Sequence, residues 1–201
     1  MRLLLWPLAF TLLILGGVAL IITPYVHRHQ EAPAHVLPVH KTLYLERSIY
    51  NDEMFFIMKA AMEWNQATDG QVIIDIKRLP HPNIDMKNAI VILNVTPDNP
   101  QIIVLDELDH YTTLGYTNRE NGYGLDSILL VDERIRDDAY SAVVMHEIGH
   151  ALGLEHIKGI DGINTLMCPN IDLGSHHITQ TDLYFFCQLY HCDESKFHGI
   201  P

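Results

Sequence analysis

The sequence predicts an α/β sandwich on a twisted, mixed and mostly parallel sheet. Three observations point there. Short runs of β-branched and aliphatic residues recur along the chain, two stretches of helical periodicity interrupt them, and apolar residues make up 48% of 201 positions against 19% charged. That composition fills one packed core and is incompatible with a disordered chain.

Taken in order, Thr42-Leu43-Tyr44-Leu45-Glu46 reads as a strand. Asn51 or Asp52 is the expected cap of a helix reaching about Thr68, with Phe55, Met58, Ala61, Met62 and Trp64 near helical spacing. Asp69-Gly70 ends it. Val72 to Ile76 and Ala89 to Val95 are β-branched strands. Ile102 to Leu105 is a further candidate, Thr113 to Thr117 a short one, and Ser127 to Val131 is apolar enough to be buried. A helix then starts at Asp137 or Asp138, acidic where its dipole is positive, and runs through Leu152. The order β-α-β-β-β-β-α favours a layered α/β arrangement.

Ahead of this lies a different composition. Leu3 to Ile22 carries no charge, and twenty helical residues rise about 30 Å, the depth of a bilayer's hydrocarbon core. Residues 1-23 are therefore expected to be a transmembrane anchor. A cleaved secretory signal is the alternative, with Ala32-Pro33-Ala34 as its small-x-small site. Either places the remainder outside the cytoplasm, membrane-anchored or secreted. Residues 24-40, with Pro24, Pro33, Pro38 and four histidines, read as a linker, leaving 41-201 as the folded domain. The 25 acidic residues outnumber 13 Lys and Arg, for a formal charge of −12, which repels phosphate backbones and argues against nucleic acid as a partner.

The chemistry concentrates in His146-Glu147-Ile148-Gly149-His150-Ala151-Leu152-Gly153-Leu154-Glu155-His156. Positions four apart on a helix share a face, so His146 and His150 can reach one ion. Glu147 stands next to them, placed to hold a water without being a ligand. A bare H-E-x-x-H also arises by chance. Gly153 separates this stretch from that reading, because a helix can end there in a left-handed turn that returns the chain and brings His156 in as a third ligand. Three protein ligands and an open position are the pattern of catalytic zinc.

These eleven residues match the zinc signature H-E-x-x-H-x-x-G-x-x-H at every fixed position, and the chain resembles the metzincin metallopeptidases. Asn164-Thr165-Leu166-Met167-Cys168-Pro169 looks like their Met-turn. The small residue and proline after Met167, and a last helix opening like Ile178-Thr179-Gln180-Thr181-Asp182 and closing at Leu189-Tyr190, resemble the matrixin branch. The resemblance implies a zincin-like fold with an active-site helix, Met-turn and C-terminal helix. It implies one catalytic Zn2+ on His146, His150 and His156, with Glu147 as general base and Met167 packed beneath. It implies a protein or peptide substrate lying antiparallel to an edge strand near Leu114-Gly115-Tyr116-Thr117, and a pocket lined from Pro169 to His177. No cysteine-switch motif and no second zinc cluster are recognisable before residue 146.

The expected activity is zinc-dependent endopeptidase cleavage. The rivals are a catalytically idle zinc-binding module, which would be expected to lose Glu147; a zinc amidase, which would take a cysteine in place of His156; and an anchored adhesion module with an accidental motif. Asp106-Glu107-Leu108-Asp109-His110 gathers oxygen donors suited to calcium but lacks the spacing of a calcium loop, so no calcium site is assigned. His176-His177 reads as a solvated loop pair, and Tyr184 and Phe185 as helix packing. Cys168, Cys187 and Cys192 allow three disulfide pairings, and the sequence does not choose among them.

Overall fold

The computed structural model describes residues 37–80, 83–96, 99, 114–119, 125–135, 137–157, 164–170, 174–193, 195 and 197. Among them are five strands, three α-helices and a short 3-10 turn (Met86–Asn88): β1 (Val39–Leu45), α1 (Asn51–Ala67), β2 (Val72–Arg78), β3 (Ala89–Val95), β4 (Gly115–Asn118), β5 (Ser127–Asp132), α2 (Asp137–Ala151) and α3 (Gln180–Tyr190). The expected N-terminal segment, the strand Ile102–Leu105 and the acidic stretch Asp106–His110 lie outside the described residues. No helix among those described is long and apolar enough to cross a membrane.

The strands form one sheet in the order β2-β1-β3-β5-β4. The first four are mutually parallel, and β4 alone runs antiparallel, pairing Gly115 with Val131 and Asn118 with Ile128. The sheet is mixed and mostly parallel, as the sequence predicts. β1 begins at Val39, three residues before the expected start, because Val39, His40 and Lys41 pair with Val72, Ile73 and Ile74.

Strand alternation sorts the side chains. Leu43, Leu45, Ile90, Ile92, Leu129 and Val131 turn to one face and join the main core with residues of α1 and α2. Tyr44, Val91 and Leu130 turn to the other, into smaller clusters. On α1 the buried stripe is Ile57, Ala60, Ala61 and Trp64, spaced as one helix face requires. Phe55, Met58 and Met62 are exposed, so of the apolar residues expected at helical spacing only Ala61 and Trp64 reach the core. The cap also moves by one residue. Tyr50 is the N-cap, and Glu53 reaches back to accept from its amide at 2.8 Å.

α3 corrects a second expectation. Tyr184 and Phe185 are exposed, and the packing is done by Leu183, Phe186, Cys187 and Tyr190. A disulfide joins Cys187 to Cys192 across the left-handed His191, resolving the pairing that the sequence left open and leaving Cys168 as a free thiol.

Candidate metal centre

α2 carries the site because nearly its whole surface is buried. Tyr140 to Met145 and Glu147 to Gly149 are all buried, and His146 and His150 are half-buried. The helix stops at a glycine for a reason visible in its last carbonyls. Gly153 adopts φ +99°, its amide bonds to His150 O at 2.9 Å, and Leu154 N bonds to Gly149 O at 2.9 Å. This crossed pair is a Schellman ending, which needs a left-handed residue at the position of Gly153. The returning chain is then fastened by Ile157 N donating to Met167 O at 2.9 Å. His156 lies between these two fixed points.

The three histidines meet. Nε2 of His156 is 3.1 Å from Nε2 of His146 and 3.1 Å from Nε2 of His150, and one nitrogen from each ring falls within a 4.8 Å group. The tautomers show what such a cluster is for. His146 Nδ1–H donates to Leu166 O at 2.7 Å, and His150 Nδ1–H donates to Leu154 O at 2.8 Å, because a carbonyl can only accept. In the neutral rings both Nε2 atoms are therefore bare lone pairs. Burial holds both imidazoles in that neutral form, His146 down to about 3 and His150 below its usual value. His156 has one Nε2 proton at most, which cannot serve two lone pairs. A cation serves all three. Imidazole nitrogens about 2.0–2.1 Å from one tetrahedral ion stand roughly 3.3–3.4 Å apart, close to the spacing seen. The Nδ1–carbonyl bonds are the outer contacts that orient metal-ligating histidines.

Glu147, next to His146 in the chain, is buried. Desolvation pushes its carboxyl up to about 7, although the Thr117 hydroxyl donates to Oε2 at 2.6 Å and opposes the rise. Thr117 and Gly115 belong to β4. A side chain at position 115 is excluded by Glu147, since a Cβ there would lie 2.6 Å from Oε1.

Beneath the histidines, Met167 is fully buried, and its Sδ would lie 2.5 Å from a Cβ on Gly149. That contact explains a glycine in mid-helix, where it costs about 1 kcal/mol relative to alanine. Trp64 presses on the same spot and donates from Nε1 to Met145 O at 2.9 Å. The turn carrying Met167 hangs on Asp182 of α3. That carboxylate accepts from Leu166 N at 2.9 Å and Met167 N at 3.1 Å, and from the amide and hydroxyl of Thr179 at 2.8 and 2.7 Å.

The remaining expected residues fall as follows. β4 is the terminal strand of the described sheet. Leu114 packs against the main core and its carbonyl accepts from Asp132 N. Tyr116 packs on the far face with Val95 and Leu130, turned away from Glu147, so only its main chain is on the metal side. Pro169 is exposed, in a turn closed by Gly174 N donating to Asn170 O and Ser175 N to Thr165 O. His177 is not a free loop residue: Nδ1 lies 3.2 Å from both carboxylate oxygens of Glu63, which also accepts from Ile178 N at 2.9 Å. Sequence reasoning placed Thr117 on the edge strand and Asp182 at the start of the last helix but not their bonds to Glu147 and the Met-turn, and it assigned no role to Gly149 or Glu63. A glycine inside a helical pattern and the Thr179-x-x-Asp182 capping spacing were available signals for two of these; Thr117 and Glu63 left none.

A zinc-type centre on a mixed α/β sheet defines a metallopeptidase architecture. The family model for the matrixins, peptidase family M10, matches residues 56–191, and the chain belongs to that family. It is a zinc metalloprotease, and zinc is the ion expected on its three histidines. Among solved structures it is similar in fold to the archaemetzincin of Methanopyrus kandleri, with 13% identity over 77% of this chain and 97% of that one and a TM-score of 0.50. High choriolytic enzyme 1, a hatching-enzyme zinc protease of the medaka Oryzias latipes, aligns at 14% identity over 77% and 90% with a TM-score of 0.45. No curated protein sequence matches.

Proposed function

We propose that the protein is an endopeptidase in which Glu147 deprotonates the attacking water and then delivers the proton to the leaving amine. The observation that carries this reading is the convergence of three Nε2 atoms next to one buried carboxyl. A zinc ion held by His146, His150 and His156 supplies Lewis acidity toward a water and a carbonyl oxygen. Glu147 takes the water's proton as the oxygen–carbon bond forms, and passes it to the amide nitrogen as the carbon–nitrogen bond breaks. Oε1 is the oxygen suited to this, since Oε2 is engaged by Thr117. Burial keeps that carboxyl near the pKa a general base needs at neutral pH.

The peptide is proposed to add to β4 as a further, antiparallel strand, held by main-chain hydrogen bonds along Leu114, Gly115 and Tyr116. Pro169 would bound the pocket beyond the scissile bond. The uncharged run Leu3–Ile22 supports a membrane anchor, or a secretory signal if it is cleaved, with the catalytic domain outside the cytoplasm.

A fluorogenic peptide library with and without a chelator tests the activity. Wild type is expected to cut internal bonds and to lose this with chelator. Glu147→Gln is expected to retain one zinc per chain and lose turnover by about 10²–10⁴-fold. Full activity in Glu147→Gln would reject the general-base role.

A further inference from the structure

Thr117 sits on the edge strand, not on the helix that carries Glu147, and the H-E-x-x-H pattern does not call for it. Its Oγ1 lies 2.6 Å from Glu147 Oε2 and 3.0 Å from Glu147's own carbonyl oxygen. Two residues earlier on the same strand, Gly115 leaves open the space beside Oε1. Residues 115 and 117 share one face of β4, so both address the same carboxyl.

We propose that Thr117 is a positioning residue, whose hydroxyl fixes Oε2 of Glu147 to the strand on which the peptide lies and leaves Oε1 as the proton-carrying oxygen. The inference rests on the general-base reading above. A hydroxyl has one hydrogen, and the carboxylate is the stronger of its two acceptors, at the distance of a charge-assisted O–H···O bond. The carbonyl at 3.0 Å is the acceptor left for that hydrogen if the carboxyl turns away. The consequence is registry. Main-chain bonds to β4 place the scissile carbonyl, and one side-chain bond from β4 places the base, so both are measured from the same four-residue strand. Without the hydroxyl, no side-chain hydrogen bond among the described residues holds the Glu147 carboxyl, and its place depends on α2 and on the close approach of Gly115.

The test compares Thr117→Val, which keeps the shape, Thr117→Ser, which keeps the hydroxyl, and Thr117→Ala. Val and Ala are expected to lower kcat by about 10–100-fold, the loss that a misplaced catalytic group brings, with KM changed less than about threefold. Ser is expected to recover most of kcat. Zinc affinity, measured by competition with a chromogenic chelator, is expected to stay within about threefold of wild type, because no ligand is touched. Crystals of the zinc-free Val variant are expected to show the Glu147 carboxyl displaced or spread over rotamers. Unchanged kcat in Val and Ala, failure of Ser to rescue, or a parallel fall of kcat and zinc affinity in all three would overturn the inference. Glu147→Gln measured alongside separates the two ideas: if it is inactive while Thr117→Val is fully active, the positioning role fails and the general-base role stands; if Glu147→Gln is active, the general-base role itself has failed.

Discussion

The floor and the rim of the site are built differently. The floor is cross-braced: His146 and His150 are tied to the carbonyls of Leu166 and Leu154, Ile157 is tied to Met167, and Asp182 holds the amides of Leu166 and Met167. The rim is a four-residue strand paired to β5 and tied to the floor through the Thr117 hydroxyl, which donates to Glu147. The difference teaches a division of labour. Redundant bonds fix the three histidines, while β4, terminal in the described sheet and paired there to β5 alone, is the strand to which the proposed peptide would add.

The strongest test of the braced floor removes a ligand. His146→Ala, His150→Ala and His156→Ala are each expected to drop bound zinc below stoichiometry and proteolysis by more than about 10³-fold, read by metal analysis and the peptide assay. Equal zinc occupancy in His156→Ala would show that the returning chain after Gly153 does not supply a ligand.

Asp182→Ala comes next. It leaves two buried amides without acceptors and breaks the capping box that Asp182 forms with the N-cap Thr179, so a loss of about 3 kcal/mol is expected. That corresponds to roughly 6–12 °C in the zinc-loaded Tm for a domain of this size. A change below about 1 kcal/mol would mean that the Met-turn does not depend on this brace.

Gly149→Ala is a smaller perturbation of the same floor. Its methyl group would meet Met167 Sδ at 2.5 Å and Trp64 Cζ2 at 3.3 Å, so overpacking of about 1–3 kcal/mol is expected. Met167→Ala vacates that space at the cost of a cavity. The double variant is expected to be less destabilised than the sum of the singles by about 1 kcal/mol or more, measured by chemical denaturation. Additive losses would show that the two side chains do not meet.

The same contrast explains what the sequence could disclose. The floor was legible because its chemistry is local: His146, Glu147, His150, Gly153 and His156 lie within eleven residues, and helix geometry converts spacing into direction. All five described strands were placed to within three residues at either end, four of them because β-branched and aliphatic runs announce themselves. β4 carries the weakest signal of its own, as Gly-Tyr-Thr-Asn has little strand preference and is held by its pairing with β5. The brace of Asp182 and the hydroxyl of Thr117 act across 15 and 30 positions, and no periodicity encodes such a pairing. α1 misled because it is apolar on two sides. Its Phe55 and Met62 have helical spacing too, yet Ile57 and Trp64 are the residues buried in the core.

The smallest expected effect is a slope, and it sets His146 against Glu147 in protein stripped of zinc. Burial holds His146 at about 3, below its ordinary 6.5, so the unfolded chain binds a proton that the folded chain does not between those values. Stability therefore falls as pH falls from about 6.5 to about 3, and His150, shifted in the same direction, adds to the fall. Glu147 works the other way. Its folded value of about 7 lies above the ordinary 4.5, so its contribution is present below pH 4.5 and is lost as pH rises toward 7. Between pH 4.5 and 6.5 the carboxyl partly cancels the histidines, and the chelated wild type should gain stability with pH only slowly. Glu147→Gln removes the opposing proton, so its stability should climb more steeply across that window, by at most about 1.4 kcal/mol per pH unit. Denaturant titrations at half-unit pH steps would show it. Parallel profiles for the two proteins would mean that Glu147 is solvated in the zinc-free fold, and that the rim does not close over it.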